Sequence, residues 1–293
     1  KSLKKEFWNY SHPLLIMSIG VSLGLIAERW ILQIFSGSVE QGFYSFGFRI
    51  SSIAMIFAGA VSSLLVREVS ISFNNNDFVR LKVLMEKSIK LMYVFVSIIV
   101  SYGIIFSEEI IILFAGEDYS GAVVTVQIIL IYPLHQIIGQ YVGSFFLGAG
   151  KTKLYRNITL FASALGLLTA WFLIAPPKYF GLDLGSVGLA IRMVVVNILI
   201  SNISLFYLVK SIKSSYLALL YHQIAIFAFF ISLSYLCSFL TKLIFLNSIY
   251  IMLFTGFSYF LLSVFIIYKR PSMIGFTKTE LNIMRLKIYS YFN

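Results

Sequence analysis

The sequence predicts an all-α protein, a polytopic transmembrane helix bundle of about eight spans. Three observations predict it. Hydrophobic residues make up 59% of the 293 and charged ones only 12%, and the mean hydropathy is +0.90, where a soluble domain carries about 25% charged residues. Apolar runs recur at close to the ~20 residues a helix needs to cross a hydrocarbon core of ~30 Å. Basic residues collect in alternate links between those runs.

The runs extend from Pro13 to Phe35, Phe43 to Val66, Leu91 to Ser107, Val123 to Gly148, Ile158 to Ala175, Val187 to Val209, Ile224 to Leu240 and Ile249 to Tyr268. No remaining stretch has the alternation of a transmembrane barrel strand or the length of a soluble domain. The chain opens on KSLKKEFWNYSHP, a basic, amphipathic lead-in that reads as the continuation of a longer polypeptide. Cys237 stands alone and allows no internal disulfide.

Numbering the ends alternately gives one side Lys1, Lys4, Lys5, Arg67, Arg80, Lys82, Lys87, Lys90, Lys151, Lys153, Arg156, Lys210, Lys213, Lys269, Arg270, Lys278, Arg285 and Lys287. The other side receives only Lys178 and Lys242. This asymmetry predicts that both termini are cytoplasmic. The net charge of +11 therefore faces anionic headgroups; no basic domain or aromatic-interleaved sheet pattern points to nucleic acid.

The link from Asn74 to Lys90 carries Leu81, Leu84 and Met85 on one face and Arg80, Lys82, Glu86 and Lys87 on the other, which predicts an amphipathic helix lying on the membrane surface. The acidic link SEEIIILFAGEDYSG, from Ser107, belongs to the opposite side and reads as solvated charge rather than a catalytic carboxylate pair. GAGKT at Gly148 to Thr152 ends like a phosphate loop, but Phe145 stands where that motif needs Gly, and a membrane helix precedes it in place of a strand. It reads as a helix end and a basic turn. The pairs Gly20 with Gly24 and Gly139 with Gly143 suggest close helix packing. His12, His135 and His222 have no ligand spacing, so neither a metal nor any other cofactor is expected.

Charges inside spans cost ~2.5 to 3.5 kcal/mol each near the bilayer centre and so should face something wet or charged. Ser18, Ser22, Arg29 and Gln33 form one stripe on the first helix, and Ser45, Arg49, Ser52, Gly59 and Ser63 repeat the theme on the second. Arg192, Asn197, Ser201 and Ser204 lie on the sixth, while the fourth carries His135, Gln136 and Gln140 after Pro133, a predicted kink. Measured from the middle of each span, Arg29, Arg49 and Arg192 are expected to share one layer. One reading gathers them around a water-filled cavity of positive potential whose ligand is an anion such as phosphate, with Gln136 and Gln140 in its lining. The other sends Arg29 and Arg49 to the outer interface, with Glu28 as a structural counter-ion. Glu28 could hold an arginine, compete with the ligand for it, or take a proton or cation as a candidate for ion coupling.

The second to fourth helices, including EQGFYSFGFRISSIAMIFAGAVSSLLVREVS and FAGEDYSGAVVTVQIILIYPLHQIIGQYVGSFFLGAGKTKLY, resemble the second lobe of the Wzx-type polysaccharide flippases of the multidrug/oligosaccharidyl-lipid/polysaccharide exporter superfamily. Gly42 and Tyr44, the turn from Gly116 to Tyr119, and GAGKTKLY carry the resemblance, over about residues 10 to 210. Where relatives often have a Pro near the end of the lobe's second helix, this chain has LLVREVS. The resemblance implies a six-helix C-terminal lobe over 1–210, two additional helices and a cytoplasmic tail over 211–293, and a partner in a six-helix N-terminal lobe. It further implies that the transporter is not an enzyme. It would flip an undecaprenyl-diphosphate-linked oligosaccharide, an O-antigen or capsule repeat of lipopolysaccharide or polysaccharide biosynthesis, across the bacterial inner membrane by alternating access. Arg29, Arg49 and Arg192 would engage the diphosphate or acidic sugars, other polysaccharide assembly proteins are possible partners, and membrane lipids surround the bundle. A drug exporter of the same superfamily is the alternative within the class, though its cavity should be rich in acids. A membrane polymerase or ligase is the alternative outside it, though such enzymes need larger outward loops.

Overall fold

The structure, a computed structural model, describes residues 2–280 and 282. Among them are ten α-helices, α1 (Ser2–Ile53), α2 (Ile56–Asn74), α3 (Phe78–Ile105), α4 (Ser107–Ala115), α5 (Val123–Ile129), α6 (Tyr132–Gly148), α7 (Thr152–Ile174), α8 (Gly185–Ile212), α9 (Tyr216–Lys242) and α10 (Ser248–Lys269), and no strand. Seven are long and apolar enough to cross a membrane; the stretch through α5 and α6, bent by 41°, makes eight. The expected all-α, multi-pass bundle is what the chain forms.

Gly37 breaks α1 into two arms. Its φ of 82° and ψ of −175° lie outside the helical region and in one that glycine adopts without penalty. Along the first arm, Gly20 meets Leu160 and Gly24 lies 3.6 Å from Ser163 by its would-be Cβ, while Phe35 meets Trp171, so this arm runs parallel to α7. Along the second, Phe43 meets Tyr119 and Gly47 packs on Val126 and Ile129. In α2, Ser62 bonds Ser144 at 2.7 Å and Val66 O approaches Gly148. The chain therefore reverses at Gly37 and returns beside α5 and α6.

The returning span is longer than expected, 38–53 continued by α2, and it is jointed. Ser51 and Ser52 donate to the carbonyls of Phe48 and Arg49, competing with the helix ladder just where it gives way at Ala54 and Met55. The neighbouring span breaks before Pro133, which occupies the first turn of α6. The predicted kink is there.

The surface helix expected over 74–90 is instead the start of α3, whose 28 residues span ~42 Å at 1.5 Å each. Asp77 caps it by accepting from Arg80 N at 2.9 Å. The apolar stripe of Leu81, Met85 and Ile89 is buried, because α9 and the segment from Pro271 to Glu280 cover it in place of lipid. The Gly148-to-Thr152 turn is the predicted helix end, with Gly150 at φ 68°. Gly143 packs on Tyr155.

The two classes of link collect at opposite ends. At the basic end Tyr10 donates to Leu147 O, Lys151 to Ser211, Lys82 to Lys213 O, Ser214 to Glu86 and Lys87 to Glu280. Burial pushes the Lys151 amine below its ordinary range. At the acidic end Glu40 accepts from Ser186 N at 2.7 Å, closing the first turn of α8. Lys1, Arg285 and Lys287 lie outside the described residues.

The main core lies between α2, α3, α6, α8 and α9, with Tyr141, Phe145, Phe146 and Phe230 fully buried. Helix α9 lies along α3, and α10 against α9. Tyr259 donates to Ile98 O at 3.2 Å, Tyr102 to Met252 O at 2.8 Å, and the Thr241 and Thr255 hydroxyls bond each other. Such contacts bind helices in lipid, where apolar side chains gain little by leaving the acyl chains.

Candidate functional site

Helices α1, α7 and α8 approach one another toward the acidic end, and intramembrane charge is concentrated there. Glu28 projects from the first arm of α1 into the bundle and is 3% exposed. Its partner is Arg192 of α8, whose side chain is 12% exposed and whose Nη2 pairs with Glu28 Oε1. Arg192 Nε donates to the carbonyl of Gly166 on α7 at 3.2 Å. Only a glycine leaves room for this: a Cβ at position 166 would stand 2.6 Å from the guanidinium carbon. One guanidinium thus ties three helices together, with a carboxylate on one side and a bare backbone on the other.

Arg29, the next residue on α1, points elsewhere. Consecutive helical residues are separated by about 100°, so the Glu28 and Arg29 side chains leave α1 in different directions. Half-buried, Arg29 donates from Nη1 to Ser45 Oγ at 3.2 Å, and its guanidinium lies 5.4 Å from the centre of the Tyr44 ring and 5.8 Å from that of Phe48. Tyr44 is itself held, donating to Met193 Sδ at 3.2 Å. The site holds two guanidinium groups and one carboxylate, a surplus of one positive charge.

Arg49 stands apart, exposed on the second arm of α1, one turn beyond Ser45. Counting from the corners at Gly37 and Gly185, Arg29 lies eight residues in, Arg192 seven and Arg49 twelve, or about 12, 10 and 18 Å at 1.5 Å per residue. The single shared layer expected for the three is therefore two residues in one layer and a third about one turn deeper. Gln136 and Gln140 are half-buried on α6, and Gln140 Nε2 lies 4.0 Å from the would-be Cβ of Gly59. Gln140 therefore neighbours α2 rather than the Glu28 pair. Asn197 and Ser201 are used up in packing, donating to the carbonyls of Tyr132 and His135.

The rest of the predicted stripe faces outward. Ser18, Ser22 and Gln33, with Arg49, Ser52, Gly59 and Ser63, are exposed, interleaved with exposed apolar residues such as Ile19, Leu23, Trp30 and Phe57, so no helix among the described residues covers these polar positions of α1 and α2. Two sizeable cavities, of about 570 and 510 Å³, open at the basic end, the first lined by Arg80, Lys87 and Phe276 and the second by Glu6, Tyr10 and Lys153. Sequence reasoning did not single out Gly166, Tyr44 as a neighbour of Arg29, or Glu40 as the cap of α8. Gly166 carries no signal in a chain with 19 glycines.

The bundle is all-helical and multi-pass, with charge held between its spans. The MatE family model matches residues 13–172, more than half of the chain, and the chain belongs to that family of transporters. No curated protein matches it. Among solved structures it is similar to a MATE protein carrying a proline-to-alanine substitution (TM-score 0.65, 13% identity, 73% of this chain and 47% of that one). A MATE protein in the straight conformation is similar to the same degree (TM-score 0.64, 13% identity, 73% and 47%). A MOP superfamily transporter from Pyrococcus furiosus, described as having a binding pocket of reversed polarity that suggests a different function, also matches (TM-score 0.63, 12% identity, 73% and 48%). The chain spans about half the length of these solved transporters.

Proposed function

We propose that this chain is the second lobe, residues 1–210, with two additional helices over 211–293, of a Wzx-type flippase. In this reading a six-helix N-terminal lobe covers the exposed polar residues of α1 and α2, and the cleft between the lobes carries an undecaprenyl-diphosphate-linked oligosaccharide across the bacterial inner membrane. The observation that carries the reading is that Arg49 is exposed and Arg29 half-buried one turn away beside Ser45, while the one intramembrane carboxylate next to Arg29 is already matched by Arg192. Such an arrangement attracts an anion and repels a cationic drug. A planar guanidinium grips a diphosphate through paired charge-assisted hydrogen bonds, and a hydrated cleft spares the headgroup the several kcal/mol per polar group that crossing hydrocarbon costs. That a transporter of similar fold has a pocket of reversed polarity supports a departure in substrate within this architecture.

The basic end, by the positive-inside rule, is cytoplasmic and carries both termini. Gln136 and Gln140 supply uncharged hydrogen bonds in the lining. Polysaccharide assembly enzymes are the natural partners upstream and downstream of such a step. The test is Arg29→Ala or Arg49→Ala in the full-length protein. Loss of one charge-assisted hydrogen bond costs about 1.5 to 3 kcal/mol, roughly 10- to 150-fold in flipping, and lipid-linked repeat units should accumulate on the cytoplasmic side. Export of single, unpolymerised repeats would favour a polymerase or ligase instead, and altered drug tolerance with normal glycan would favour a drug exporter.

A further inference from the structure

Two guanidinium groups lie close to one buried carboxylate, and which of them takes it decides where the surplus charge sits. Arg192 has the stronger hold. It meets Glu28 inside the lobe, its Nε is fixed by the Gly166 carbonyl at 3.2 Å, and the missing side chain at Gly166 gives its plane a slot against α7. With the Glu28 side chain 3% exposed and that of Arg192 12%, a bulky diphosphate cannot reach either without unpacking three helices. Arg29 has no charged partner among the described residues; half-buried, it is held more weakly by Ser45 and by the faces of buried Tyr44 and of Phe48, on the second arm that carries Arg49.

We infer that Glu28 and Arg192 are a positioning pair and not substrate contacts: Arg192 occupies Glu28 so that the adjacent Arg29 keeps its charge available at the open face. This rests on the reading of Arg29 as a substrate contact. Remove Arg192, and the nearest cation to a desolvated carboxylate is Arg29, one residue away on the same helix. The carboxylate then draws Arg29 inward, and the surplus charge of the site falls from one to zero. Arg192 thereby controls the charge presented at the face without touching what binds there. A direct-ligand role for Arg192 predicts the opposite genetic pattern, because removing Glu28 as well could not restore a lost contact.

The test uses full-length protein in four forms: wild type, Arg192→Gln, the double variant Glu28→Gln with Arg192→Gln, and Arg29→Gln. Phenylglyoxal labelling of arginines, read by mass spectrometry on the membrane-embedded protein, reports the state of Arg29 with no substrate present. Arg29 should label at similar rates in the wild type and the double variant and about ten times more slowly in Arg192→Gln, the scale of one charge-assisted hydrogen bond gained. In a flipping assay on lipid-linked repeat units, Arg192→Gln should resemble Arg29→Gln, and the double variant should return to within about threefold of wild type. Unchanged labelling of Arg29 in Arg192→Gln would overturn the inference. So would a double variant as defective as Arg192→Gln, which would make Arg192 a ligand. Should Arg192→Gln alone fail to fold, the double variant still decides between the two. If the activity reading is what fails, flipping is flat across all four forms, Arg29→Gln included, while the labelling pattern still separates the variants.

Discussion

Helices α1 and α3 are both long and apolar, yet the most apolar stretch of α1 is 11% buried and that of α3 44%. The polar residues follow suit: Ser97 and Ser101 of α3 are fully buried, while Ser18, Ser22 and Gln33 of α1 are exposed. The difference teaches that hydropathy selects the spans but says little about what each span faces. On α3, hydroxyl groups turn inward beside α9 and α10. On α1 they turn outward, among exposed apolar residues such as Ile19, Leu23 and Trp30.

Substitutions on the two sides should behave differently, and the largest contrast is between arginines. Arg192→Leu removes the anchored partner of Glu28, for which Arg29 is a poorer substitute, and should cost about 3 kcal/mol, in the range for breaking a buried pair, seen as a lower melting temperature in detergent. Arg49→Leu, on the exposed face, should stay within about 0.5 kcal/mol. Equal losses would mean that the polar face is packed after all. A smaller contrast separates two glycines. A methyl group at Gly148 would stand 2.7 Å from Val66 O and 2.9 Å from Val69 Cβ, so Gly148→Ala should cost about 1 to 3 kcal/mol through overpacking. Gly59 has only Gln140 Nε2, at 4.0 Å, and Gly59→Ala should be neutral or gain up to ~1 kcal/mol from helix propensity.

The smallest effect lies at the basic end, where the segment from Pro271 to Glu280 crosses α3. A hydrogen bond from Lys87, helped by the Thr277 amide, pulls the Glu280 carboxyl down to about 2. Because the docked carboxylate titrates below the ordinary value of ~4.3, its contribution is complete above that value and is lost as pH falls toward 2. Amide exchange over residues 272–279 should therefore be faster in Glu280→Gln than in wild type at pH 5 and indistinguishable near pH 2.

Much of the fold is legible in the sequence because length and composition determine what can cross a bilayer. The spans, the break at Pro133 and the basic turn after Gly148 follow from apolar runs, a missing backbone N–H and a left-handed glycine. The start of α3 is where the pattern misleads, since a half-apolar, half-basic helix suits a membrane surface and a protein groove equally well. Leu81 and Met85 do not say which will cover them. For the site, periodicity identifies Arg29, Arg49 and Arg192 as the charges needing explanation but cannot choose a partner for Glu28. That choice depends on which helix lies opposite, and on the absence of a side chain at Gly166, a fact of packing with no local sequence signal.

The corner at Gly37 has a mechanical consequence. A single residue joins two membrane-crossing arms, and one peptide unit reaches at most about 3.6 Å. The arms are thus pinned together at the acidic end as firmly as the two legs of a compass. Sliding one along the other is closed to them at that end.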